Sequence, residues 1–351
     1  MQKSLKTTAF GISLLCVVIQ LFKHFGGAWV EEVYSRKIYL YIAIVKGWIW
    51  NNFPFSFGDI FYILVIIVFV FLLIQLIKAL AKKNKLKISH TFIRLYICVL
   101  SLWVYFDVSW GINYYRTPFA EYLGVESKEI EENYYEEIIK GYIDKTNSLR
   151  NEIDMERWDR TIANEEVTSF IQNDKRWTDY LSRAPLAIKY PVYSELISYT
   201  LVSGYFNPYT HEAHVNQKMP LMTYPFTVAH ELSHKMGVGF EDECNFLAFL
   251  YLKDMSDPWY RYAAYLSISQ YMLRDMFGID YERYKVLSNL FSTAVKKDIQ
   301  EEQSYWEKYS GFYSQISSFF YNFYLLGNNQ PEGLKRYSYV SRLIYNWELK
   351  R

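Results

Sequence analysis

Glycine and proline are scarce, at 15 and 9 of 351 residues. Collagenous, low-complexity and disordered chains need many of these or far fewer apolar residues, so all three are excluded. Cysteine is scarcer still. Cys16, Cys98 and Cys244 are odd in number and far apart, which excludes a disulfide scaffold. No charge of one sign dominates, since 38 Lys+Arg face 37 Asp+Glu for a net of +1. A polyanion binder usually carries a basic excess, so no nucleic-acid partner is expected. Neither a Gly-rich phosphate loop nor a Gly-x-Ser-x-Gly elbow is evident. Apolar residues make up 51%, and the 34 Tyr and 24 Phe carry most of an aromatic share of 19%. The Tyr excess suits either an apolar but wet core or a membrane-facing surface.

The near-neutral total joins two unlike parts. Residues 1–116 hold 13 Lys+Arg and 4 Asp+Glu, a balance of +9; residues 117–351 hold 25 and 33, a balance of −8. The expected organisation is a membrane anchor over 1–116 and one helical domain over 117–351.

A helix needs about 20 mostly apolar residues to cross the hydrocarbon. Three stretches qualify, over about 8–27, 58–79 and 91–112. Lys3 and Lys6 resemble the charged region of a signal peptide, but no small-x-small cleavage site follows, so the first run reads as an uncleaved anchor. Ile38–Trp50 is apolar but short and interrupted by Lys46; it is expected along the interface, where its Tyr and Trp are at home. Lys78, Lys82, Lys83, Lys85 and Lys87 all fall between the second and third runs. The positive-inside rule places that loop and the N-terminus in the cytoplasm and everything after about Arg116 outside it.

Beyond Thr117 helical periodicity dominates. Ser127 followed by Glu129–Glu132 is expected to open one helix. Others are expected near Glu165–Gln172, Val192–Leu201, Trp259–Met276, Tyr281–Lys308 and Leu334–Leu349, with a turn at Asn328–Gly333 and a short extended segment near Ala213–Asn216. The fold class is therefore all-α and membrane-bound.

The informative string is PFTVAHELSHKMGVGFEDECNFLAFLY, Pro225 to Tyr251, with HExxH at His230–His234. On a helix, residues i and i+4 share a face with Cβ atoms about 5–6 Å apart. Two imidazoles there can reach one Zn²⁺, and Glu231 lies where it can accept a proton from an activated water. Pro225 suits the first turn of that helix and Gly237 its stop. A catalytic zinc site normally has three protein ligands and one open position. The position six residues after His234 is Phe240, so a third His is missing. Gly237 and Gly239 let the chain reverse, and a following helix can bring Glu241 back as third ligand, with Glu243 as the alternative. First-turn acids also suit any helix, but that does not account for their coincidence with HExxH.

HExxH followed by a helix bearing Glu-x-x-[small]-[Asp/Asn] resembles the gluzincin metallopeptidases. That resemblance implies a zincin-like domain with His230, His234 and Glu241 as Zn²⁺ ligands, Glu231 as general base, and a peptide or protein substrate. Lys235 departs from it, since gluzincins usually have an uncharged residue there. More narrowly, the chain resembles an uncharacterised bacterial family of three-span membrane proteins with an external HExxH domain. The stretches that carry this are Trp110–Arg116, Asn207–Ala213, the HExxH segment and Asn329–Gly333. His211 and His214 suit a second metal site or substrate contact less well than a pair of unrelated surface histidines. Cys244 reads as a packing residue rather than a ligand. Tyr262 is a guess for an oxyanion partner. If Ala213–Asn216 is an edge strand beside the site, it can bind a peptide by β-augmentation. The expected function is a membrane-anchored, extracytoplasmic zinc metallopeptidase, and the alternative is a non-catalytic envelope protein with structural or sensory zinc. A transporter is disfavoured, because three spans leave little room for a midplane site.

Overall fold

The computed structural model describes residues 2–126, 128–154 and 159–351. Helix fills 73% of it and strand 3%, so the all-α class holds, with one small sheet added. Ser127 lies outside the described residues, and the helix expected to follow it begins at Glu132.

Three helices are long and apolar enough to cross a membrane: α1 (Gln2–Phe25), α3 (Phe57–Ala81) and α4 (Lys85–Ser109). Most of their residues face outward, as lipid-facing surfaces require. Ser56 starts α3 by accepting from the Asp59 amide at 2.9 Å, and Asn84 starts α4 on the Lys87 amide at 3.0 Å. The Asn84 cap puts the start of the third span six residues before the expected one. Lys23 on α1 and Asp107 on α4 form a buried pair at 2.8 Å, to which Trp103 adds an N–H donor at 2.8 Å. Between α1 and α3 lie a π-helical segment (Val30–Ile38) and α2 (Tyr39–Trp50). Tyr41, Val45 and Trp48 of α2 are exposed. Tyr39 is fully buried and donates to the Lys235 carbonyl at 2.8 Å, so α2 also ties the anchor to the rest of the chain.

A 3-10 turn (Gly111–Tyr115) and the short α5 (Phe119–Tyr122) lead to α6 (Glu132–Glu152) and α7 (Arg160–Asn173). Then come β1 (Ile188–Lys189), α8 (Ser194–Ser198), β2 (Gly204–Asn207) and β3 (Glu212–Val215). The sheet order is β1-β3-β2, with β3 parallel to β1 and antiparallel to β2. The expected extended segment is thus central, and the edge strands are β1 and β2, of which β2 lines the cleft described below. The remaining helices are α9 (Tyr224–Lys235), α10 (Glu241–Leu252), α11 (Pro258–Ile279), α12 (Tyr281–Asn289), α13 (Thr293–Tyr309), α14 (Phe312–Gly327) and α15 (Val340–Lys350).

Three helix expectations change. Tyr281–Lys308 is two helices, because Ser292 caps α13 and Asn147 of α6 takes up the Leu290 carbonyl and Ser292 amide between them. Val192–Leu201 shrinks to α8, and Leu334–Leu349 becomes a 3-10 turn (Gly333–Tyr339) followed by α15. The sequence reading placed no helix at α14.

The core is built around α9 and α10, all of whose residues are buried, flanked by α6, α7, α11 and α15. Many tyrosines sit in it with the hydroxyl on a polar partner: Tyr260 on Glu166 at 2.7 Å, Tyr262 on Asp298 at 2.6 Å, Tyr224 on Asn164 at 2.9 Å. A large apolar body with a satisfied polar tip is what permits such burial. A second apolar cluster, including Tyr34, Tyr39, Phe106, Trp110 and Tyr114, joins the anchor to this core.

Candidate metal centre

Helix α9 starts with Pro225 in its first turn, where a missing N–H costs nothing. It stops at Gly237, which takes φ +95° while its amide reaches the His234 carbonyl at 3.0 Å and Val238 reaches that of Ser233 at 3.2 Å. This is a Schellman stop, and the positive φ is what requires glycine there. Trp110 donates to the His234 carbonyl at 3.1 Å, and Arg116 reaches the Gly237 carbonyl at 3.2 Å. Arg116 is itself held by Glu31, with contacts of 2.6 and 2.9 Å. Burial would raise the Glu31 carboxyl, but the Arg116 guanidinium outweighs it and leaves the group below its usual range. The segment joining anchor to domain therefore clamps the end of the HExxH helix.

The turn sends the chain straight into α10, whose first residue is Glu241. Its Oε2 lies 3.1 Å from His230 Nε2 and 3.3 Å from His234 Nε2. One donor atom from each of the three residues lies within 4.8 Å of the other two, so the group can hold a metal ion. The other ring nitrogens are engaged. His230 Nδ1 is 2.8 Å from Asn245 Oδ1, and His234 Nδ1 is 3.0 Å from the Val238 carbonyl. Both partners are acceptors, so each Nδ1 can donate outward while each Nε2 is turned towards Glu241, the orientation a metal ligand needs. Tyr321 of α14 donates to Glu241 Oε1 at 2.8 Å. Burial opposes charge on Glu241, but the adjacent imidazoles prevail and hold it well below the ordinary carboxylate range. The donor set, its orientation and its charge fit a zinc ion.

Glu231 stands beside this group. Burial pushes its carboxyl up to about 7, and Oε2 has no hydrogen-bond partner among the described residues. It packs against β2 at Gly204, where a Cβ would fall 2.7 Å from Glu231 Oε1 and 2.8 Å from the His214 carbonyl. Glycine is required there by that close approach.

His230, Glu231, His234 and Glu241 line a cleft of about 760 Å³. One wall is β2 with the residues before it, another is α14 and Tyr337, and the floor includes Tyr62, Phe106 and Trp110.

Several expected residues lie elsewhere. Glu243 accepts from the Ala120 amide at 3.0 Å and points away from the histidines. Cys244 sits behind His234, its Sγ 3.3 Å from Nδ1, and burial pushes its thiol up to about 12, as suits a packing residue. Tyr262 is spent on Asp298 and does not line the cleft. His211 and His214 are buried rather than on the surface: His214 stacks on Tyr205 and bonds Ser56 Oγ at 2.8 Å, while His211 meets the Tyr39 ring at 5.8 Å. Burial drives His214 down to about 4 and His211 well below its ordinary value, so both are neutral packing groups. Lys235 is fully buried on the far side of α9, donating to Asn51 at 2.9 Å, and takes no part in the charge of the site. The sequence reading missed Gly204, Tyr321 and Tyr337. A signal for Tyr321 exists in the uncharged run Phe312–Gly327, whose apolar residues recur at helical spacing.

A family model described as a protein of unknown function (DUF3810) matches residues 34–345. The chain belongs to this family. The match begins after α1 and takes in α3, α4 and every residue of the centre just described. No curated protein and no solved structure matches the chain. The family description names no activity, and none of the comparisons supports the gluzincin resemblance.

Proposed function

We propose that the protein is a membrane-anchored, zinc-dependent peptidase whose catalytic centre lies on the extracytoplasmic side of the bilayer. The observation that carries this reading is Glu231, whose Oε2 has no hydrogen-bond partner among the described residues, beside three convergent donors at the wall of an open cleft. Structural zinc sites are closed by four protein ligands, whereas three donors and access match a catalytic one. Zn²⁺ held by His230, His234 and Glu241 would supply Lewis-acid polarisation of a carbonyl and a water of lowered pKa. Glu231 takes the proton of the attacking water and hands it to the leaving amine. The free edge of β2 can pair with an extended peptide and lay it across the histidines. This replaces the β3 edge expected from sequence.

Metal analysis of the full-length protein, alongside a broad peptide library, tests the reading. Zinc together with hydrolysis supports it, and zinc without hydrolysis favours a structural or sensory centre.

The β2 contact gives a separate prediction. Gly204→Ala places a methyl group against Glu231 and the β3 backbone, so zinc content should stay at the wild-type level while kcat falls at least about tenfold, as misplacement near the chemistry does. Unchanged kcat in a folded, zinc-loaded variant would show that Glu231 does not depend on this approach.

Sidedness rests on the five lysines, all exposed around the turn from α3 to α4. A reporter fused after Arg351 should read as extracytoplasmic, and a cytoplasmic signal would reverse the orientation.

A further inference from the structure

Helix α14 carries no charged residue in its 16 positions, and only Ser314 and Leu325 are buried. Its side chains divide into two stripes. Ser317, Ser318, Tyr321 and Tyr324 line the cleft. Phe312, Ile316, Phe319, Phe320, Phe323 and Leu326 recur at helical spacing on the other side and are exposed, Phe320 by 66%. A stripe of this size is not left in water by a soluble surface. At about 1.5 Å per residue the helix is about 24 Å long, too short to span.

The occupant of the stripe follows from what adjoins it. The Tyr324 ring is 5.9 Å from Phe106, and its hydroxyl is 3.1 Å from that of Tyr114. Phe106 lies one turn inside the Ser109 end of α4, and Tyr62, also in the cleft lining, lies just over one turn inside the Phe57 end of α3. Tyr324, on the cleft side of α14, thus seats the helix beside the Ser109 end of α4 with its apolar stripe turned away from the cleft, and the cleft reaches below the level at which two of the spans end.

We infer that α14 lies in the membrane as a fourth, non-spanning element, and that the cleft opens sideways between α14 and α3 to take polypeptides tethered to the same bilayer. The substrate class rests on the peptidase reading above; the placement of α14 does not. A tethered chain enters with its anchor still among the lipids and presents the bonds nearest that anchor to the centre, whereas a cleft facing bulk water would select for bonds far from it.

The test uses the full-length protein in proteoliposomes. Phe320→Cys, in a background with Cys16→Ser and Cys98→Ser, carries an environment-sensitive fluorophore, and Glu137→Cys at an exposed position of α6 is the aqueous reference. Label at 320 should be quenched by doxyl lipids and protected from iodide, the reverse of label at 137; quenching by iodide overturns the placement. A mixed-sequence peptide library with an N-terminal palmitoyl chain is then digested and its cut sites mapped. Cuts should cluster within about ten residues of the anchor, a reach of about 35 Å for extended chain, and shift in register when a Gly-Ser spacer is inserted. Cuts spread along the peptide, or appearing only beyond a long spacer, overturn the substrate class. Cleavage of neither tethered nor free peptides removes the peptidase reading and the substrate class with it, while the fluorophore still decides the position of α14.

Discussion

Glu231→Gln is expected to bind zinc at the wild-type stoichiometry and to hydrolyse peptides about 10³-fold more slowly. The magnitude is that of a positioned general acid–base, about 10²–10⁴. The substitution is nearly isosteric, and among the described residues the carboxyl it replaces makes no hydrogen bond to His230 or His234 that would organise the donors. Glu231 Oε2 has no partner to lose, so the fold should be indifferent. What disappears is the proton acceptor. Burial already holds this group up to about 7, poised to take a proton and give it back near neutral pH, and an amide can do neither. Metal content and kcat measured on one preparation separate the two effects. Undiminished hydrolysis would remove Glu231 from the mechanism.

His230→Ala and Glu241→Ala should each lose metal. Loss of a partner behind a ligand costs about 10–100-fold in affinity, so removing a ligand itself should exceed about 100-fold. Asn245→Ala provides the graded comparison, since it removes only the acceptor that orients His230, and should fall within that smaller range. Glu243→Gln should keep full metal, because that side chain serves the Ala120 amide and an amide oxygen can still accept there. Zinc content by mass spectrometry, with circular dichroism to confirm folding, reads all four. Equal zinc in wild type, His230→Ala and Glu241→Ala would end the site, and loss in Glu243→Gln with retention in Glu241→Ala would transfer the third position to Glu243.

The family match adds breadth rather than chemistry, and the internal geometry gives it physical content. Three of the four stretches that carry the sequence resemblance meet at one place, and the fourth ties the sheet to the anchor. Trp110 and Arg116 hold the end of α9; Asn329 donates to the Tyr114 carbonyl at 2.9 Å; and Gln330 faces the Glu241 amide at 3.5 Å. In Asn207–Ala213, Asn207 accepts from the Tyr209 amide at 2.9 Å and Thr210 donates to Glu212 at 2.7 Å. Glu212 in turn accepts from the Gly58 amide at 2.6 Å and pairs with Lys189, which joins the sheet to the start of α3. Burying a charge without such partners is costly, so these residues form connected sets rather than isolated contacts.

What the sequence by itself determined is what depends on local spacing and on solvent preference. Apolar length marked three membrane helices, since twenty such residues in a row can satisfy their backbone in lipid. The i,i+4 spacing put His230 and His234 on one face of one helix, and the glycine at 237 stopped it. Only the tertiary structure decided which acid turns back to the histidines. Glu241 and Glu243 are two residues apart on α10, about 200° around the helix, and the angle at which α10 leaves Gly237 sends one to His230 and the other to Ala120. That angle is held by Trp110, Arg116 and Gln330, residues far away in the chain. The same holds for β2 as the free edge and for α14 as a wall of the cleft. Neither a strand of four residues nor a helix exposed on its most apolar side reveals its neighbours, because pairing partner and burial are properties of the packed chain.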